Sequence, residues 1–170
     1  MKAIIAMAQN RVIGKNGTIP WHIPNDFKWF KEFTMGKTLI VGKNTFDTLP
    51  LLKNRECLIL TKPVDAIDAY ITNQYMVNNN AMTGQMITME DVESYSRFRK
   101  GYLIVAGGAK TYVKLLPYIT EFYVTHVNGS YDGDTFMPPF EDLFTKMFNQ
   151  RNQQQQQQYF SRPADLQHGR

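Results

Sequence analysis

Asp26 is the most chemically suggestive residue in the chain, because WHIPNDFKWF sets one carboxyl group among large apolar side chains. Desolvation there would oppose ionisation, whereas the free amides of a helix start would favour it. Locally the residue reads equally as a helix cap or as a functional acid. Gly107 and Gly108 follow the apolar run LIVA and precede a helical pattern. Such a turn lets a phosphate approach the backbone, or is simply tight. The chain lacks the G-x-G-x-x-G and G-x-x-x-x-G-K-[ST] patterns that would decide between those readings. Lys43 and Lys62 could act as point charges for a phosphate, and Arg55 could grip a carboxylate through two parallel hydrogen bonds, although each also reads as an ordinary surface charge. His22, His126 and His168 have no ligand spacing, and Asp132 and Asp134 read as turn-shaping residues, so no metal site is expected.

These residues must be positioned by an alternation of strands and helices. The apolar run Ala3 to Ala8 reads as a central strand, followed by a loop from Gln9 to Asn25 that Gly14, Gly17, Pro20 and Pro24 keep irregular. A helix begins at Asn25 or Asp26 and carries Phe27, Phe30 and Phe33 at spacing three, with Trp29 off that stripe and Gly36 ending the segment. TLIVG is a strand, KNTFDTLP a short helix stopped by Pro50, and Cys57 to Leu60 a further strand. Strands with an exposed loop are expected over 66–85. Thr88 and Asp91 have the spacing of a capping box ahead of VESYSRF. YLIVAGGAKTYVKLLP then reads as strand, glycine turn and helix, with EFYVTHVNG as the next strand.

With 170 residues, 43% hydrophobic and 20% charged, the chain has the size and composition of one globular domain. The net charge of +4 is weak support for nucleic-acid binding, and neither a basic helix nor an aromatic-rich groove is evident. No apolar run approaches a membrane span. The single cysteine, Cys57, lies in the strand-like ECLIL, so a buried thiol and a cytoplasmic location are expected.

Four stretches in order, IAMAQNRVIGKNGTIPWHIPNDFKWFK, LIVGKNTFDTLP, LIVAGGAKTY and YVTHVNGSYDGDTFMP, resemble the dihydrofolate reductase family over residues 1 to about 140. The resemblance implies an α/β domain of three layers over 1–150, with a central, mostly parallel eight-stranded sheet flanked by helices. It implies NADPH-dependent reduction of dihydrofolate to tetrahydrofolate, with hydride delivered to C6 and a proton reaching N5 through water. The WxxPxD stretch, Trp21 to Asp26, favours folate over a pyrimidine substrate.

By the same resemblance, Asp26 orients the pterin, Thr125 supports that acid, and Trp21 acts through an ordered water. Ile4, Ile5, Phe27, Phe30, Leu49, Leu52 and Ala106 match the pocket wall for dihydrofolate, with Arg55 on its α-carboxylate. Gln9 to Pro24 matches a loop that closes over nicotinamide, with Ile19 near its active part. Ala6, Ile13, Gly14, Gly42, Lys43, Asn44, Thr45, Leu60, Thr61 and Lys62 match cofactor positions, as do Gly107, Gly108, Ala109, Lys110, Thr111 and Tyr112; Tyr102 reads as core. Ala106 and Ala109 depart from a larger aliphatic residue and a third glycine. The glutamine-rich end, 151–170, has no counterpart and is expected to be largely disordered, with room for a short final-strand pairing around Gln156 to Ser161. A monomer without an obligate protein, nucleic-acid or membrane partner is expected.

Overall fold

The computed structural model describes residues 1–62, 75–99, 101–151 and 155–162. Among the described residues a nine-stranded sheet forms the centre of the fold. In chain order its strands are β1 (Lys2–Ala8), β3 (Thr38–Gly42), β4 (Glu56–Leu60), β5 (Tyr75–Val77), β6 (Thr83–Ile87), β7 (Leu103–Gly107), β8 (Glu121–Val127), β10 (Thr145–Arg151) and β11 (Gln155–Ser161). Their spatial order is β10-β11-β8-β1-β7-β3-β4-β6-β5, one strand more than the eight implied by resemblance. The five pairings from β8 to β6 are parallel, and the three at the margins are antiparallel. A separate ribbon joins β2 (Val12–Gly14) to β9 (Thr135–Phe136).

Alternation along the central strands divides the core between the two faces. Ala3, Ile5 and Met7 of β1, Ile40 of β3, and Leu103 and Val105 of β7 share one cluster with Val92 of α3 (Met89–Phe98) and with Tyr112 and Leu115 of α4 (Ala109–Leu115). Their neighbours Ile4, Leu39 and Ile104 face the other way, toward Trp29, Phe30 and Phe33 of α1 (Pro24–Thr34). Val41, Cys57 and Ile59 continue that second face beneath Phe46 of α2 (Lys43–Thr48). Gly84 lets β6 approach this layer closely: a Cβ there would lie 2.7 Å from the Phe46 ring. Burial pushes the Cys57 thiol up to about 12, consistent with the inert thiol expected from ECLIL.

Thr88 caps α3 reciprocally with Asp91, as their spacing predicts. The start of α1 differs from expectation. Neither Asn25 nor Asp26 caps it; Ile23 precedes the helix, Pro24 is its first residue, and Asp26 lies inside the first turn. Proline suits that position because the amide it lacks would have had no helical partner. Tyr102 is 59% exposed, with the Lys37 ammonium 4.9 Å from its ring centroid, which corrects its reading as core.

Of the middle segment, YMV and TGQMI form β5 and β6, whereas YIT lies outside the described residues. The end of the chain contributes β11, paired with β8 from Gln155 to Ser161 and with β10 on its other side. Tyr159 stacks on Tyr123 at 4.8 Å, and Phe160 is buried against Phe140. Residues 152–154 and 163–170 lie outside the described residues.

Candidate active site

The cleft begins where the sheet divides. β1 and β7 pair only at Lys2–Ile104 and Ala3–Val105, while β1 continues beside β8 as far as Ala8–Val127. Beyond Ala3 the two central strands separate, and the buried Tyr112 hydroxyl donates to the Ile4 carbonyl at 2.6 Å. That bond satisfies a backbone acceptor which the β-ladder no longer serves. The pairing of β7 with β3 shifts between Ile40–Val105 and Val41–Gly107, leaving Ala106 as the extra residue. An 1860 Å³ cleft opens at the carboxyl ends of these strands, the usual location of ligand sites in open α/β sheets.

At one end the cleft is apolar around a single acid. Ile4, Ile5, Phe27, Phe30, Leu49, Leu52 and Ala106 line it together with Asp26, Trp21 and Arg55. Phe27 is 44% exposed because its ring faces the cleft, so the Phe27, Phe30, Phe33 stripe is split. Phe33 turns instead toward Trp29 and Tyr123 at 5.2 and 4.5 Å. Asp26 is 9% exposed and has no ion-pair partner among the described residues. Burial raises its pKa above the ordinary carboxylate value, and the neighbouring Thr125 hydroxyl opposes that rise. Thr125 does not line the cleft; it stands behind Asp26 on β8, beside Ala6 of β1.

Among the described residues, the buried side-chain polar atoms without a well-formed protein hydrogen bond are Trp21 Nε1 and Thr125 Oγ1. Buried polar atoms ordinarily find partners, at a cost of about 1–3 kcal/mol when they do not. Trp21 lines the acid end of the cleft and Thr125 stands behind Asp26, so the indole N–H is the one of the two that suits recognition of a polar heterocycle. Arg55 is held from two sides, its Nε donating to the Lys53 carbonyl at 3.0 Å and one terminal nitrogen to Thr34 Oγ1 at 3.3 Å. Thr34 donates in turn to Phe30 O at 2.7 Å, so the guanidinium is oriented by α1 itself.

The other end is built from glycines, threonines and lysines. Gly42 lines it from the end of β3, Lys43, Asn44 and Thr45 from α2, Leu60, Thr61 and Lys62 from the end of β4, and Ala6, Ile13, Gly14 and Ile19 from β1 and the loop. Gly107, Gly108, Ala109, Lys110, Thr111 and Tyr112 complete it, with a cis peptide bond joining the two glycines. A Cβ at Gly42 would lie 2.8 Å from Thr111 Oγ1, and one at Gly108 3.1 Å from Thr45 Oγ1. The glycines therefore keep open a backbone cradle that side chains would fill, and it fits a dinucleotide's phosphates.

The loop before α1 is fastened to the segment around β9. Arg11 donates to the Met137 and Pro138 carbonyls and pairs with Glu141 at 2.8 Å. Lys15 meets Asp132 at 2.5 Å, and the Asn16 amide donates to Asp134 at 2.8 Å. These contacts hold both aspartates below the ordinary carboxylate range, and they assign the acidic turn to loop fastening. Ile19 is left 45% exposed on the cleft wall. No cluster of potential metal ligands occurs among the described residues.

Several wall residues escaped the sequence reading, among them His22, Lys31, Thr48, Met76, Met86 and Lys114. The spacing of Lys110 and Lys114, one helical turn, was a usable signal. Met76 and Met86 carried none, because their strands reach the cleft only through the sheet order. Asn78 was also missed. Its amide donates to the carbonyls of Phe46 and Leu49 at 2.7 and 2.8 Å, pinning the end of α2.

Comparison with known proteins agrees with this geometry. The dihydrofolate reductase from Buchnera aphidicola subsp. Baizongia pistaciae is 32% identical over 141 residues, covering 82% of this chain and 78% of that protein. The Bacillus subtilis dihydrofolate reductase is 31% identical over 145 residues, covering 85% and 79% respectively. A solved dihydrofolate reductase from Enterococcus faecalis, complexed with NADP(H) and RAB-propyl, superposes with a TM-score of 0.73 at 26% identity and covers 95% of each chain. The family model for dihydrofolate reductase matches residues 1–166, and the chain belongs to that family of oxidoreductases.

Proposed function

We propose that this reductase converts dihydrofolate to tetrahydrofolate with NADPH, adding hydride at C6 and a proton at N5. The observation that carries the reading is Asp26: one buried carboxyl group, without an ion-pair partner among the described residues, at the apolar end of a cleft whose other end is a glycine and lysine cradle. A pterin's 2-amino group and N3 side offer donors that a carboxylate accepts, so Asp26 fixes the ring's orientation. Thr125 supports the carboxylate from behind, and Trp21 contributes its indole N–H through a bridging water.

Ile4, Ile5, Phe27, Phe30, Leu49, Leu52 and Ala106 pack the ring and the aminobenzoyl group, and Arg55 takes the α-carboxylate of the glutamate. Gly42, Gly107 and Gly108 with Asn44, Thr45 and Thr111 would hold the cofactor's pyrophosphate side; Lys43, Thr61 and Lys62 would hold its ribose phosphate. When bound, the reduced nicotinamide supplies the hydride. Ala6, Ile13, Gly14, Ile19 and Tyr112 shape the wall beside it, and the fastened loop excludes bulk water. Asp26 acts by orientation and electrostatics, while the N5 proton arrives from water. A monomeric, cytoplasmic enzyme completes the reading.

The test is NADPH oxidation by the full chain with and without dihydrofolate, with the product identified. Substrate-dependent tetrahydrofolate formation is expected. Turnover only on a pyrimidine or another pterin, or ligand binding without turnover, overturns the reading.

A further inference from the structure

Lys43 differs from the other lysines on the cleft wall. Its ammonium donates to both carboxylate oxygens of Asp47, one helical turn later, at 2.8 and 2.7 Å. Lys62, Lys110 and Lys114 form no ion pair among the described residues. Asp47 itself is not part of the wall, so it holds the Lys43 ammonium from behind. Both partners are partly solvated, with side chains 41% and 44% exposed, and neither is committed to a core network.

We propose that Asp47 is a specificity-determining residue, a built-in carboxylate that competes with a ligand's phosphate for Lys43 and so tempers discrimination between phosphorylated and unphosphorylated dinucleotides. This rests on the cofactor reading above. A lysine ammonium has three donors, and the Asp47 carboxylate engages it through both oxygens. A phosphate dianion brought to the same ammonium must sit within a few ångströms of that carboxylate. Between partly solvated like charges, Coulomb repulsion at such separations amounts to about a threefold to tenfold loss of affinity. A dinucleotide without the ribose phosphate places no charge there and escapes this loss.

The experiment is equilibrium binding of NADPH and NADH to the full chain, read by quenching of protein fluorescence, for wild type, Asp47→Asn, Lys43→Gln and the double variant. Asp47→Asn keeps the side chain's shape and removes its charge. It is expected to tighten NADPH by about threefold to tenfold while NADH stays within about twofold. Lys43→Gln should weaken NADPH selectively, and in its presence Asp47→Asn should give no gain, because Asp47 acts through Lys43. Asp47→Ser, which also removes the charge, should reproduce the gain and guards against an unstable asparagine variant.

Parallel changes for both dinucleotides, a weaker NADPH complex in Asp47→Asn, or a gain that persists without Lys43 would each overturn the proposal. If Lys43→Gln weakens NADPH selectively and neither Asp47 variant tightens it, the inference fails and the cofactor reading survives. If wild type binds neither dinucleotide, both fall.

Discussion

The two ends of the cleft recognise charge in opposite ways. Around α1, one carboxyl group is buried among apolar side chains without an ion-pair partner among the described residues, and its pKa is raised by that burial. Around α2 and α4, positive charge is spread over Lys43, Lys62, Lys110 and Lys114 at half-exposed or exposed positions, with glycines between them. A buried charge in a low-dielectric setting has large interaction energies, whereas exposed charges are weakened by water and salt. Single substitutions should therefore act steeply at the first end and shallowly at the second, and that contrast can be broken or sharpened by measurement.

The steepest effect is expected at Asp26. Asp26→Asn should slow single-turnover hydride transfer by about 10²–10³-fold, the range seen when one preorganised electrostatic group is removed from an active site. NADPH affinity should stay within about twofold, because the cradle is assembled from other elements. Stopped-flow measurement with saturating dihydrofolate checks this, and near-unchanged transfer would erase the contrast at its strongest point. Arg55→Gln comes next. A charged hydrogen-bonding group is worth about 1.5–3 kcal/mol, so dihydrofolate affinity should fall by about tenfold to a hundredfold while the hydride step changes less. Unchanged affinity in a binding titration would remove Arg55 from the substrate end.

Asp26 should also cost stability. Since its pKa is raised on folding, the folded chain binds this proton more readily than the unfolded chain does. The stability associated with the protonated group is complete below the unfolded carboxylate's pKa, about 4, and is lost as pH rises through the higher folded value. Asp26→Asn should therefore resist denaturant better than wild type at neutral pH, with the gain fading as pH falls toward about 4. Denaturant melts across that range read the sign directly. A gain that grows as pH falls would mean that the folded carboxylate is favoured, contrary to its burial.

The same contrast governs what was legible in the sequence. Asp26 among WHIPN and FKWF could be singled out because an acid among aromatic residues is locally unusual, yet its position inside the first turn depended on Pro24 and Ile23. The parallel strands were legible as apolar runs because both faces are covered. What could not be read was anything created by strand order. The separation of β1 from β7, the approach of Met76 and Met86 to the cleft, and Asn78 bracing α2 all join distant segments. β11 stands between the two: a final pairing around Gln156 to Ser161 was expected, and it forms over Gln155–Ser161, but its place between β8 and β10 could not be read. A glutamine run has no apolar face, but main-chain pairing with β8 and β10 does not require one, and Tyr159 and Phe160 anchor its end.

The shallowest expected effects lie on the lysine limb, and their shallowness is itself the test. Lys62, Lys110 and Lys114 are exposed and unpaired among the described residues, so each contributes through a solvent-screened field. Replacing any one with Gln should weaken NADPH by about twofold to fivefold, and combined replacements should multiply, as expected for sites without shared partners. Raising ionic strength should mimic these substitutions, because a Debye length of about 8 Å at physiological salt shrinks to about 3 Å at 1 M. Hydride transfer in the fully loaded enzyme should respond little, since Asp26 is shielded from the same ions by the apolar wall. Titrating NADPH affinity and the single-turnover rate against salt in one preparation compares the two ends directly. A rate as salt-sensitive as the affinity would place solvent and ions beside Asp26, and the distinction between a buried charge and a distributed one would collapse.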